Sequence, residues 1–441
     1  MNLSNDNKPA VYLASIGLET AAEATVMGWS RAAARRSRSR LTGFLQSLMT
    51  FAPNPAITEL SREHVGAETD APPARQPVAW ALLARRPGDN AQIRALAEAS
   101  GLDWVAKPLR FRKGLETLPN LRSGGSLLSL GAETQAALRP PFPDVVIAAG
   151  KRAAPAALWI KAASRGRTRL VHLGRTWAPS EWFDAVVTTP QYRLPARPNV
   201  VENRLPLTAA PHARGLRPDL AALPRPRITV IVGGDAAPLT LDVAAARRLA
   251  AAALARAEAA GGSLLVVTSP RTSRRAGDAL ETALAGAEAP VRLSIFGDGP
   301  NDYAAFLAAA DEIVVTDDSV SMATEAALTG APVTLFQLPR RFDPAGLAAG
   351  ALERACGRLG AGAIFGRLVE RGFISANRDI GAFMRGLEAG GLLAGGPAAR
   401  TLAAAELASA AAIVRALAGA QPADFSHSAT SAALRSGGNT G

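Results

Sequence analysis

The residues best suited to chemistry gather where the chain reads TDDSVSMATEAALTGAPVTLF, residues 316 to 336. A β-branched run ends in Asp317, Asp318 and Ser319, a small-residue helix starts near Ser319 to Ser321, and Gly330-Ala331-Pro332 turns the chain into another strand. The first turn of such a helix presents unpaired N–H groups and the positive end of the helix dipole, so a phosphate could sit there. Ser319 or Ser321 could donate a hydroxyl to it, and Glu325, one turn further, could accept from two ribose hydroxyls. Capping explains the same letters, because serine caps helices and acids favour first turns. Asp317 and Asp318 fit neither reading, since a carboxylate repels a phosphate placed beside it.

Three further segments have related chemistry. IVGGDAAPLTLD runs a strand into Gly233 and Gly234, a pair that permits close backbone approach to a diphosphate, although it is neither GxGxxG nor a Walker loop. VVTSPRT ends a strand in Thr268, Ser269, Arg271 and Thr272, and FGDGPNDY supplies Gly297, Gly299, Asn301 and Tyr303 at the next. Small, hydroxylated or anion-friendly residues at four consecutive strand ends predict one common rim, a nucleotide-diphosphate pocket.

The elements that must position these residues alternate. Val78 to Leu83 read as a buried strand, RRPGDN as a turn, and Ala91 to Ser100 as a helix closed by Gly101. DWVAKPL, PDVVIAAG, TRLVHLG and FDAVVTT continue as strands, with a helix in APAALWIKAAS. Leu205 to Arg227 contains five prolines and reads as a linker, after which strand and helix alternate again from ITVIVGG to PVTLFQL. The expected fold is α/β, with two doubly wound Rossmann-like units facing a cleft. Expected boundaries are a basic, mostly disordered extension over 1–76, a first unit over 77–222, a second unit with terminal helices over 223–420, and a disordered tail over 421–441.

Composition narrows the function classes. The single cysteine, Cys356, excludes a disulfide scaffold, and four scattered histidines, His64, His172, His212 and His427, offer no metal-ligand spacing. A formal charge of +12 favours polyanions, but the arginines are dispersed and no nucleic-acid motif accompanies them, so nucleic acid is disfavoured. No window reaches the roughly 18 to 20 apolar residues that span a bilayer. The polar start MNLSNDNKPA is unlike a secretory signal, and a cytoplasmic location is expected. Met27 to Thr58 holds five arginines and no acid, followed within it by LTGFLQSLMTF, so this extension could lie on an anionic membrane at its inner face, although a solvated tail explains it as well.

DGPNDYAAFLAAADEIVVTDDSVSMATEAALTGAPV, with IVGG and LLVVTSPRT, resembles the elongated-mitochondria-type mitochondrial fission protein family. RRPGDNAQ, PDVVIAAGKRAAP and WFDAVVTTPQYRLP match its N-terminal half, and the resemblance covers about residues 77 to 420. It implies the two-domain glycosyltransferase-B architecture, with Ser319, Ser321 and Glu325 lining a nucleotide site and Gly233 and Gly234 near the diphosphate. Bacterial members often bear a nucleoside-diphosphate-sugar epimerase label. This chain has Gly88-Asp89 where many members have Gly-His, and Pro190-Gln191-Tyr192 where many have Pro-x-His-Asp.

An inverting transferase needs a base near the acceptor hydroxyl, and Asp89, at the end of the first strand, is the candidate. Asp89 and Gln92 could equally cap the following helix. His172 lies within a strand and reads as buried structure, while Lys151, Arg152 and Arg175 could neutralise an anion or be ordinary surface. The expected activity is glycosyl transfer from a nucleotide-diphosphate sugar, bound as substrate with no cofactor, to an envelope-related acceptor. A non-redox epimerase and a non-enzymatic membrane-associated interaction protein are the alternatives.

Overall fold

A computed structural model describes residues 76–115, 124–208, 215–370, 374 and 378–419. The basic extension with its candidate interfacial helix, and the tail over 421–441, lie outside the described residues, as do positions 209–214 of the linker.

The first unit contains β1 (Val78–Leu83), α1 (Pro87–Ser100), β2 (Asp103–Pro108), α2 (Ala132–Ala137), β3 (Val145–Ala149), α3 (Gly150–Ala163), β4 (Arg169–Leu173), β5 (Ala185–Thr188) and β6 (Val200–Glu202). Its strands are all parallel, in the order β2-β1-β3-β4-β5-β6. β3, β4 and β5 are buried along their whole length, which is why their sequences read as continuous apolar runs and not as alternation. Pro87 opens α1 and Gly101 closes it in the left-handed conformation, its N–H bonded to Glu98 O.

The second unit contains α4 (Pro218–Ala221), β7 (Arg227–Val232), α5 (Val243–Ala259), β8 (Ser263–Thr268), α6 (Arg274–Leu284), β9 (Val291–Ser294), α7 (Tyr303–Ala309), β10 (Glu312–Thr316), α8 (Val320–Thr329) and β11 (Val333–Phe336). Its parallel sheet has the order β11-β10-β7-β8-β9. Four helices follow: α9 (Pro344–Arg358), α10 (Gly362–Glu370), α11 (Ile380–Ala389) and α12 (Ala398–Gly419). Both units are therefore doubly wound, and each has a crevice where the chain changes direction across its sheet. One crevice lies between the ends of β1 and β3, the other between those of β7 and β10.

The linker and the last helix tie the units together. Leu205 is buried in the core of the second unit, whereas Leu207 is buried in that of the first. α12 also serves both: Ala399 and Ala403 pack with the second unit, but Ala410, Ala411, Ile413, Val414 and Leu417 complete the core beneath β1, β3, β4 and β5. The expected boundary assigned this whole helix to the second unit; the fold divides it, because an apolar stripe signals burial without naming what covers it. α12 is also long and apolar enough to cross a bilayer by length and composition, contrary to the expectation of no such window. Its alanines produce that hydropathy, and its Glu406 accepts bonds from the backbone of Arg204 and Leu205 at 2.6 and 3.0 Å.

Candidate functional site

A cavity of about 210 Å³ opens at the crevice of the first sheet and is faced by the second unit. Arg86, just before α1, and Gly88 and Asp89 in its first turn contribute to the cavity, β5 ends in Thr188 at its wall, and Gln191 follows in a short 3-10 turn over Pro190–Tyr192. From the second unit come Val320 and Ser321 in the first turn of α8, and Arg378 just before α11. The approach between units is close: a Cβ on Gly88 would lie 3.7 Å from Ser321 Oγ. Asp379 N–H donates to Gln191 O at 2.9 Å, which sets the neighbouring Arg378 at the cavity.

Asp89 lies in the first turn of α1, and its Oδ2 would be 3.1 Å from a Cβ on Gly150, the first residue of α3. Burial raises its carboxyl above the usual range, and the charges of Arg86 and Arg378 offset part of that rise. Neither α1 nor α3 has a side-chain cap, and the positive ends of both helices begin at this crevice. Thr188 and Gln191 are each 2% exposed, and Thr188 Oγ1 and Gln191 Oε1 have no hydrogen-bond partner among the described residues. Arg175 is buried nearby, its guanidinium over the Trp177 ring and its Nη2 donating to Tyr192 O at 3.3 Å. Burial, together with repulsion from Arg378, lowers it to about 10. His172 is fully buried against Phe183, and burial lowers it to about 4, so it is neutral near pH 7.

The crevice of the second sheet is closed from within. Asp318 Oδ2 accepts from Gly234 N–H at 3.1 Å and pairs with Arg271 Nη2 at 2.8 Å. A Cβ on Gly233 would lie 2.1 Å from Asp318 Oδ1, so the paired glycines make room for this carboxylate. Gly233 N–H donates to Thr316 Oγ1 at 2.8 Å, and Gly233 O accepts from Ser269 Oγ at 3.0 Å. Asp317, also unexplained by the sequence, accepts from Leu338 N–H at 3.0 Å. Thr268 Oγ1 accepts from Phe296 N–H at 2.8 Å, and Asn301 Oδ1 accepts from Tyr303 N–H at 3.0 Å. Gly299 lies in the exposed loop before α7. Ser319 caps α8, accepting from Met322 N–H at 3.5 Å. Glu325 accepts from the Tyr303 hydroxyl at 2.6 Å, and its crowded surroundings push its carboxyl up although the residue remains solvent-exposed.

Of the residues singled out from sequence, Gly88, Asp89 and Gln92 from the first unit and Ser321 from the second thus reach the cavity. Gly233, Gly234, Ser269, Arg271 and Asp318 meet instead at the second sheet's crevice, and neither they nor Thr268, Gly299, Asn301, Ser319 and Glu325 are among the cavity's lining. Sequence reasoning missed Arg86, Thr188, Gln191 and Arg378. Gln191 alone left a signal, as part of the triplet departing from the resembling family's pattern. No cluster of three or more His, Cys, Asp or Glu that could hold a metal occurs among the described residues.

The fold and site define a protein of two Rossmann-like units enclosing a cleft at their strand ends. The chain belongs to the Mitochondrial fission ELM1 family, whose model matches residues 87–353. No curated protein matches it. Among solved structures, MurG of Acinetobacter baumannii is similar at 17% identity and a TM-score of 0.36, over 68% of this chain and 96% of that one. A mutant O-GlcNAc transferase of Thermobaculum terrenum gives 17% identity and 0.39, over 89% and 78%. UDP-GlcNAc 2-epimerase of Methanocaldococcus jannaschii gives 13% and 0.39, over 70% and 92%. All three scores lie below 0.5, and no functional residue transfers from them.

Proposed function

We propose that this protein transfers a glycosyl group from a nucleotide-diphosphate sugar to an acceptor hydroxyl in the interdomain cleft, with an envelope-related acceptor. The observation that carries the reading is the cavity wall on which Asp89, from the first unit, faces the start of α8, from the second. Asp89 takes the acceptor's hydroxyl proton, the oxygen forms a bond to the anomeric carbon, and the bond to the diphosphate breaks with its electron pair leaving on the nucleoside diphosphate. The donor is held by α8: Ser321 and the first-turn N–H groups meet the diphosphate, and Glu325 with Tyr303 meets the ribose. Asp318 already fills the space before Gly233, so the diphosphate lies over α8 and not against the glycine pair.

A thermal-shift series with uridine, guanosine, cytidine and thymidine diphosphates and their sugars tests the donor site. One of them should stabilise the wild type, and Glu325→Ala should lose most of that shift. Asp89→Asn should retain the shift but lower acceptor-dependent release of nucleoside diphosphate by about 10²–10⁴-fold. The raised Asp89 carboxyl places the acid limb of that activity above the usual carboxylate range, since the base works only when ionised. If no nucleotide shifts the melting temperature, the transferase reading fails and a non-enzymatic interaction role replaces it. Release without an acceptor, together with inversion of the sugar, would instead favour the epimerase.

A further inference from the structure

We propose that the cavity at the first sheet's crevice is built for a phosphoryl group with hydroxyls beside it, so that the acceptor is a phosphorylated sugar or polyol and not a neutral saccharide. Its role as acceptor rests on the transferase reading; the site itself rests on the cavity.

The charge balance points to an anion. Arg86 and Arg378 line the cavity from opposite units, and Asp89 is the one carboxylate among its lining residues. Arg175 Nη2 donates to Tyr192 O at 3.3 Å while the Arg378 guanidinium lies 5.5 Å over the ring of the same lining residue, so like charges meet at one part of the wall and repel each other. An anion relieves that repulsion. α1 and α3 both begin at this crevice without side-chain caps, and their dipoles add to the same field.

A bare anion would leave the other wall unused. Thr188 Oγ1 and Gln191 Oε1 are buried at the cavity with no partner among the described residues, and a buried polar atom left unpaired is costly. A turn of either side chain toward the cavity it lines brings that atom to a hydroxyl group on the ligand. At about 210 Å³ the cavity is smaller than the roughly 300–1,000 Å³ that takes up a whole drug-sized ligand. It therefore receives one phosphorylated moiety, and the remainder of a larger acceptor extends into the cleft.

Titration calorimetry at low salt with glucose 1-phosphate, glucose, inorganic phosphate and decyl phosphate in detergent tests this. Glucose 1-phosphate should bind at least about tenfold more tightly than glucose, and Arg86→Gln or Arg378→Gln should each weaken it by about tenfold or more. Both arginines are exposed, so these variants should melt as the wild type does. Binding should weaken with added salt, as screening of exposed charges requires. Thr188→Val should weaken glucose 1-phosphate while leaving inorganic phosphate unchanged. Decyl phosphate binding more tightly than inorganic phosphate would assign the phosphate to a lipid carrier; equal binding would assign it to a soluble ester. Equal affinity for glucose and glucose 1-phosphate, or indifference to both arginine variants, would overturn the proposal. Uridine diphosphate titrated alongside separates the two readings. If it or another of the four nucleoside diphosphates binds and glucose 1-phosphate does not, the anion site fails while the donor site stands; binding of glucose 1-phosphate with none of the four nucleotides retains the anion site and sinks the transferase.

Discussion

At the scale of single residues, His172 shows how position overrides chemical type. It is one of four histidines, yet it lies inside β4 with its ring edge-on to Phe183, where it serves packing and not proton transfer. Because its native value is near 4 and its unfolded value near 6.5, the unfolded chain binds the proton first as pH falls. The stability that His172 contributes is complete above 6.5 and is lost progressively as pH falls from there to about 4. Denaturant titration should therefore find the wild type losing up to about 1.4 kcal/mol per pH unit in that window relative to His172→Gln. A wild-type-minus-variant difference that stays constant from pH 6.5 to 4 would contradict it. The burial of this residue was legible in the sequence, since an apolar strand surrounds it. The two unpartnered polar atoms on Thr188 and Gln191 were not, because nothing local distinguishes a buried hydroxyl or amide from an exposed one.

At the scale of elements, the turns after β7 and β10 act as one piece. The glycine pair read from sequence as a diphosphate cradle encloses a carboxylate of this chain, and the two acids left unexplained there hold neighbouring backbone N–H groups. Gly233→Ala would press its methyl into Asp318, which cannot retreat without giving up Gly234 and Arg271. The expected cost is about 1–3 kcal/mol, typical of overpacking a tight site, read as a lowered melting temperature. An unchanged melting temperature would mean that Asp318 relocates freely. Strand-end chemistry was legible here and its purpose was not, because β7 and β10 become neighbours only when the sheet forms.

At the scale of the whole molecule, the units are held by polar ties and a shared helix. Glu370 on α10 is fully buried, accepts from Ser180 Oγ at 2.7 Å and pairs with Arg197 at 3.4 Å, both in the first unit. Glu353 on α9 likewise meets Arg193 at 2.6 Å. These contacts hold the second unit's helices against the segment that carries Gln191. α12 makes the dependence mutual: Ile413→Ala should cost about 2–5 kcal/mol as a buried truncation. Hydrogen exchange should report the loss in β1, β3 and β4 of the first unit, and faster exchange confined to the second would refute the shared core.

The sequence by itself determined the alternation of strand and helix and the two doubly wound units, and it directed attention to Asp89 and Ser321, which the fold places in the first turns of the helices that follow β1 and β10. Each follows from patterns a few residues long: continuous apolar runs, glycine and proline turns, and helix starts after strands. Tertiary structure alone decided that Asp318 occupies the space before Gly233, that α12 is divided between two cores, and that Arg378 lies with Asp89 at one cavity. These are meetings of residues far apart in the chain. They are set by how two cores pack, and local periodicity has no means of encoding that.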